Sequence, residues 1–140
     1  MADDFGPLLA TLRRVFPASR LEPVAEPELA AIRQRHPGVP EHYLALLRHV
    51  GYGSLGGTFM IYSGPVEPGE IFDPRTAAGL DGLLFFGDNF AGWVVGFDTH
   101  RGWRLVGVDN GTPDSEPQDA QTVGEFIARR LAEQQEAEPS

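Results

Sequence analysis

The sequence predicts an α+β fold, with N-terminal helices and a C-terminal helix packed on a curved, mainly antiparallel sheet. Three observations carry this. Before Gly51 the apolar residues recur at helical spacing. After Gly51 the pattern changes to short β-branched and aromatic runs, separated by glycine-ended spacers of hairpin length. Near the end, Thr122 and Glu125 stand three residues apart ahead of another helical run, the spacing of a capping box.

The first predicted helix covers 5–16, where Leu8, Leu9, Leu12, Val15 and Phe16 share a face. Pro7 suits its first turn and Pro17 limits it, because the residue before a proline avoids helical angles. A second helix is predicted over 26–36, opened by Pro27 and ended by Pro37-Gly38, with Leu29 and Ile32 a turn apart. A third covers 40–50, where Tyr43, Leu46, Leu47 and Val50 follow the i, i+3, i+4, i+7 pattern. Pro40 opens it and Gly51 closes it.

Strands are predicted at Thr58–Ser63, briefly around Ile71-Phe72, and at Leu83–Asp88, Trp93–Asp98 and Trp103–Asp109. In the fourth of these, Trp93, Val95 and Phe97 lie on one face. The spacers "NFAG" and "THRG" imply an antiparallel meander. The segment "NGTPDSEPQDAQ" reads as turns, and a helix then carries Val123, Phe126, Ile127 and Leu131 inward. The chain reads as one domain over 1–140, with its core at about 22–131 and a polar, frayed tail over 132–140.

The 140 residues hold no cysteine, so disulfides and thiolate metal sites are excluded. The N-terminus lacks a signal-peptide layout and no apolar run reaches membrane-span length, which predicts a cytoplasmic protein with no membrane partner. The formal charge of −9 is unevenly placed: residues 51–121 hold ten acids against Arg75, Arg101 and Arg104, whereas the first fifty residues balance. Direct nucleic-acid binding is disfavoured, because phosphate recognition needs a basic footprint. A basic protein partner is favoured, since complementary fields steer association.

The segment "GYGSLG" (51–56) matches the dinucleotide-binding glycine pattern. That chemistry needs the glycines to leave a strand and open a helix, and here they follow a helix, so a cap and corner is the better reading. His36, His42, His49 and His100 lack metal-ligand spacing, and His42 and His49 are expected on the wet side of the third helix. The oxygen-rich "DNGTPDSE" fails the calcium-loop pattern, and no serine stands in a nucleophile motif. No cofactor and no metal are therefore expected, and the chain reads as a non-enzyme. Of the large aromatics near turns, Phe90, Tyr52, Trp93 and Trp103, any that stays exposed beside the acids would make an interface anchor.

Taken in order, these elements resemble the SUKH superfamily, which includes fungal cell-wall-assembly regulators and bacterial immunity proteins. The resemblance rests on Val39-Pro40-Glu41-His42-Tyr43, Leu46-Leu47 and Gly51-Tyr52-Gly53. It continues with Phe86-Gly87-Asp88, Gly92, Phe97-Asp98, Val108-Asp109 and the run from Thr122 to Phe126. It spans roughly 22–131. Val39 stands where leucine is usual, and Val50 where asparagine often precedes the glycine. The resemblance implies a role without catalysis, the direct binding and neutralising of a cognate secreted toxin, often a nuclease, by a monomer or weak dimer. A general binding scaffold is the second reading, and a small hydrolase with spatially assembled carboxylates the third. On the first reading the expected partner-binding residues are Asp88, Asp98 and Asp109 at strand ends, Glu70 and Asp73 in the long loop, and Phe90 and His100 in the hairpin turns.

Overall fold

The computed structural model describes residues 6–15, 20–55, 59–109, 111 and 115–137. It is an α+β architecture built on a seven-stranded sheet. The strands lie in sequence order, β1 to β7, and every neighbouring pair is antiparallel. In chain order the elements are α1 (Gly6–Val15), β1 (Arg20–Glu22), α2 (Glu26–Arg35), α3 (Glu41–His49), β2 (Tyr52–Leu55) and β3 (Phe59–Val66). A 3-10 turn (Pro68–Glu70) and α4 (Pro74–Ala78) follow. Then come β4 (Leu83–Asp88), β5 (Trp93–Asp98), a second 3-10 turn (Thr99–Arg101), β6 (Arg104–Asp109), β7 (Ser115–Pro117) and α5 (Val123–Ala137).

The three expected N-terminal helices form. The predicted stripe of α3, Tyr43, Leu46, Leu47 and Val50, is buried, and so is Leu44. Leu29 and Ile32 of α2 join it. Acids occupy the first turn of α2 and arginines its last, the arrangement that complements the helix dipole. Arg33 pairs with Glu41 and Arg48 with Glu26, each through two nitrogens, so α2 and α3 are tied along their wet sides. The Glu26 and Glu41 carboxyls are held below their ordinary range, chiefly by these arginine bonds. The ends Phe5, Phe16 and Pro17 lie outside the described residues.

The helices cover one sheet face. Leu8 and Leu12 of α1, the α2 and α3 residues above, and Val123, Phe126, Ile127 and Leu131 of α5 meet Phe59, Ile61, Phe86, Val95, Phe97 and Leu105. Trp93 packs against the same cluster, so the predicted face of β5 is the one observed. The other sheet face carries Leu83, Phe85, Val94, Val106 and Val108. Leu80, Tyr62, Val66 and Phe72 close over them from β3 and the β3–β4 connection. That is why Leu83 to Gly87 of β4 are all buried: both faces of this strand are covered.

Several expectations are corrected. Ile71-Phe72 is a turn between the 3-10 segment and α4, not a strand. The glycine-rich corner itself forms β2. The third hairpin strand begins at Arg104, because Trp103 takes a left-handed backbone (φ 59) that a strand does not accommodate. Part of the expected turn segment pairs with β6 as β7. The tail is helical to Ala137, and residues 138–140 lie outside the described set. So do Gly56, Gly57, Thr58, Asn110 and the stretch 112–114.

His42 is also corrected. It is half-buried, edge-on to Phe97, and its Nδ1 accepts the Val123 N–H at 3.2 Å. Nδ1 must be unprotonated to do so. Thr122 Oγ1 accepts the Glu125 N–H, while the Glu125 carboxylate reaches back to the Gln121 N–H, one residue earlier than the expected box. Three first-turn donors of α5 thus find acceptors, one of them on α3. His49 is exposed, as expected.

Candidate partner-binding site

Three successive strands of the meander end on aspartate, and each aspartate does the same local job. Asp88 accepts the Phe90 N–H at 2.8 Å, Asp98 the His100 N–H at 3.1 Å, and Asp109 the Gly111 N–H at 2.7 Å. Each is an Asx turn, a carboxylate accepting the backbone N–H two residues on to reverse the chain. Asp73 does similar work for α4, accepting the Thr76 N–H at 2.9 Å, which holds its carboxyl below the ordinary range. The expected contact aspartates are therefore turn-formers first.

They do not gather in one place. Asp88 ends β4, and Asp109 sits opposite Trp93, the first residue of β5. With Phe90 in the turn between β4 and β5, these three occupy one end of the sheet. Asp98 and His100 lie at the other end, where β4 begins. Glu70 and Asp73 belong to the connection leading into that end of β4. A strand of six residues separates the groups by about 17 Å.

Within the second group, Asp98 is withdrawn from solvent at 4% exposure, the one buried charged residue in the described core. Its second oxygen accepts from Arg101 at 3.2 Å, and its carbonyl accepts the Trp103 N–H. The burial of Asp98 stands against its expected role in partner contact, since its carboxylate is spent inside the turn. Asp98→Ala is expected to cost about 1–3 kcal/mol, since it removes a buried carboxylate that accepts from both the His100 N–H and Arg101. Asp109→Ala at an exposed turn is expected to cost clearly less. Urea melts of the two variants check the ranking.

The first group has a different character. Phe90 is the most exposed large apolar side chain among the described residues, at 53%. Its backbone is left-handed, φ 61, a conformation that is uncommon for a bulky side chain. Asp88 fixes its N–H. Asn89 secures the rest of the turn, its Oδ1 accepting from Ala91 and Trp93 while its N–H donates to the Trp93 carbonyl. Asp88 is anchored in turn by the Tyr62 hydroxyl at 2.7 Å. Burial, then this bond, push the Tyr62 hydroxyl pKa up. The result is an aromatic ring held outward on a braced turn, with Asp88 beside it and Asp109 on the adjoining strand end.

The remaining aromatics of the turns are half-buried. Trp93 stacks on Phe126 and lies under Arg130, Trp103 is half-buried, and the Tyr52 hydroxyl donates to Glu22. The glycine motif binds the chain to itself: the Gly51 N–H donates to the Leu46 carbonyl and closes α3. Among the described residues no three histidine or acidic side chains are placed to hold a metal ion, and no helix is long and apolar enough to cross a membrane.

No family model matches the chain, and neither a curated protein nor a solved structure matches it. The site must be judged on its own geometry. Phe90 could be found in the sequence as an aromatic in a hairpin turn. The bracing by Asp88, Asn89 and Tyr62 could not, because Tyr62 lies twenty-six positions before Asp88.

Proposed function

We propose that this chain is a non-catalytic immunity-type protein that binds and neutralises a cognate secreted toxin, and that the β4–β5 turn is its anchor. One observation carries the reading: Phe90 is exposed, apolar and held in a strained left-handed conformation by the bonds that form its turn. Strain of this kind costs on the order of 1 kcal/mol and persists where function maintains it. A pre-ordered aromatic loses little freedom on binding, which is the property of an interface hot spot. The excess of acids in residues 51–121 suits a partner with a basic surface, including a nuclease site built for phosphates. The resemblance in the helix–glycine–strand order supports the toxin-neutralising role.

The test is co-expression with toxin-like proteins encoded beside this gene, scored by growth rescue and by a co-purifying complex. The informative variant is Phe90→Asn. Asparagine tolerates the left-handed backbone, so thermal stability is expected to hold or rise slightly, while the ring is lost. Affinity for the toxin is expected to fall about thirtyfold or more. Rescue by the wild type with undiminished binding by Phe90→Asn would remove the anchor from this reading. No rescue and no complex with any neighbour would remove the toxin.

A further inference from the structure

At the opposite end of the sheet from Phe90 lies a cleft of about 560 Å³. Five segments line it: Arg35 to Gly38 at and after the end of α2, Glu67 to Gly69 after β3, Ala77 of α4, Asp81 to Leu84 entering β4, and Thr99, His100 and Trp103 after β5. Its volume falls in the range of ligand sites, roughly 300–1,000 Å³.

The walls are set by close packing. The Trp103 indole lies so near Gly38 that a Cβ there would stand 2.7 Å from Nε1. His100 lies over Gly82 so closely that no side chain could fit beneath it. Thr99 ties the same turn down, its N–H and hydroxyl both donating to the Gly82 carbonyl. His36 meets Trp103 edge-on at 6.5 Å, and Phe97 backs the indole at 5.6 Å. Two imidazoles and an indole therefore face a space rimmed by the carboxylates of Glu67 and Asp81.

The charges decide what fits. Arg35 supplies one positive charge and Glu67 and Asp81 two negative ones, so with neutral imidazoles the lining is net negative, in a chain that carries −9. Burial, then Arg35, hold the His36 imidazole below its ordinary pKa, against the pull of Glu67. An anion is thus disfavoured at neutral pH. A planar cation is favoured, because a guanidinium stacks on aromatic faces and forks onto carboxylates, which an ammonium does not.

We propose that this cleft takes an arginine side chain from a protein partner, its guanidinium lying against the Trp103 indole and pairing with Glu67 and Asp81. The proposal rests on the reading that the partner is basic, and it adds a second contact about a strand length from the Phe90 anchor. Acidification would work against it. Protonated His36 would add a positive charge to a rim where Arg35, Glu67, Asp81 and the neighbouring Asp98–Arg101 pair are the other charged groups.

The probe is a doubly blocked Gly-Arg-Gly peptide, titrated into the nitrogen-15-labelled full chain and followed by NMR at the Trp103 indole N–H. That signal is assigned by its loss in Trp103→Phe. Saturable movement of the Trp103 signal is expected, with the Trp93 indole still. Replacing arginine by citrulline, which is uncharged, is expected to weaken binding about tenfold or more, as is Glu67→Gln with Asp81→Asn. Binding is expected to weaken as the pH falls below about 6.5, the range in which an imidazole with a lowered pKa takes up its proton. An unmoved Trp103 signal, equal binding of the citrulline peptide, or binding unaffected by the double variant would each overturn the proposal. The Trp103 readout does not depend on Phe90, so such a failure leaves the toxin-binding test standing, and failure there leaves this one standing.

Discussion

Gly51→Ala is expected to destabilise the protein by about 2–4 kcal/mol, through two effects that two other glycines separate. Gly51 closes α3 with φ 105, a backbone that a residue with a Cβ rarely adopts. A Cβ there would also stand 2.4 Å from the Glu22 carbonyl oxygen and 2.8 Å from the Pro23 nitrogen, both backbone atoms. No rotamer relieves that contact, so the chain leaving β1 would have to move away from the end of α3. The Val24 N–H bond to the Leu47 carbonyl, which holds these two segments together, would move with it. Gly102 shares the positive φ, at 68, but has nothing within 4 Å of a Cβ, so Gly102→Ala isolates the conformational cost at about 1 kcal/mol. Gly69, with open space and no positive φ, is the control and is expected to change little. Thermal melts of the three variants should rank Gly51 worst, Gly102 next and Gly69 near wild type. At this chain length, roughly 3–4 °C of melting temperature per kcal/mol puts Gly51→Ala near 10 °C below wild type. Equal losses at Gly51 and Gly102 would show that the contact with Glu22 and Pro23 carries nothing.

The same residues show what a sequence displays and what it hides. The helical stripe of α3 and its glycine stop were legible because one periodic signal and one conformational requirement agreed at Gly51. The meander was legible because glycine-ended spacers of hairpin length left antiparallel pairing as the only economical connection. The edge strands β1 and β7 were not, because three residues are too few to display a period, and Pro117 argues against a strand unless it lies at an edge, where β7 does lie. Helix α4 has five residues and owes its start to Asp73 and Pro74, signals that also fit an ordinary turn.

The site was half legible for a related reason. An aspartate at a strand end reads equally well as a turn-former and as a surface charge, and only the coordinates show that Asp88, Asp98 and Asp109 each bond the N–H two residues on. Phe90 was visible as a turn aromatic, whereas its bracing depends on distant Tyr62. The cleft was invisible as a unit, since its lining comes from five stretches that only the fold brings together. Of the expected contact residues only His100 lines the cleft, while Glu70 and Asp73 lie in the connection that leads to that end of the sheet.

The largest loss of all is expected at Phe86→Ala, and the neighbouring Tyr43→Phe is expected to go the other way. Phe86 is fully buried in β4 and joins the two layers: its ring lies 5.3 Å from Phe97, 5.8 Å from Tyr43 of α3 and 6.0 Å from Phe126 of α5. Truncation would open a cavity between the sheet and both helices, at a cost of about 3–5 kcal/mol, a large part of the stability of a domain this size. Tyr43 is equally buried, but its hydroxyl has no hydrogen-bond partner among the described residues. Burial pushes the hydroxyl pKa far up, so it stays neutral, but it is still a polar group removed from water without compensation. Tyr43→Phe keeps the ring contacts with Phe86 and Phe97 and removes only that group. Stability is expected to stay level or rise by about 1 kcal/mol. Denaturant unfolding of the two variants, read as midpoint at constant slope, gives the comparison. A clear loss in Tyr43→Phe would mean that the hydroxyl is satisfied in solution and that the core is less dry than its packing indicates. A gain beside the collapse of Phe86→Ala would place the stabilising role of this cluster in its rings alone.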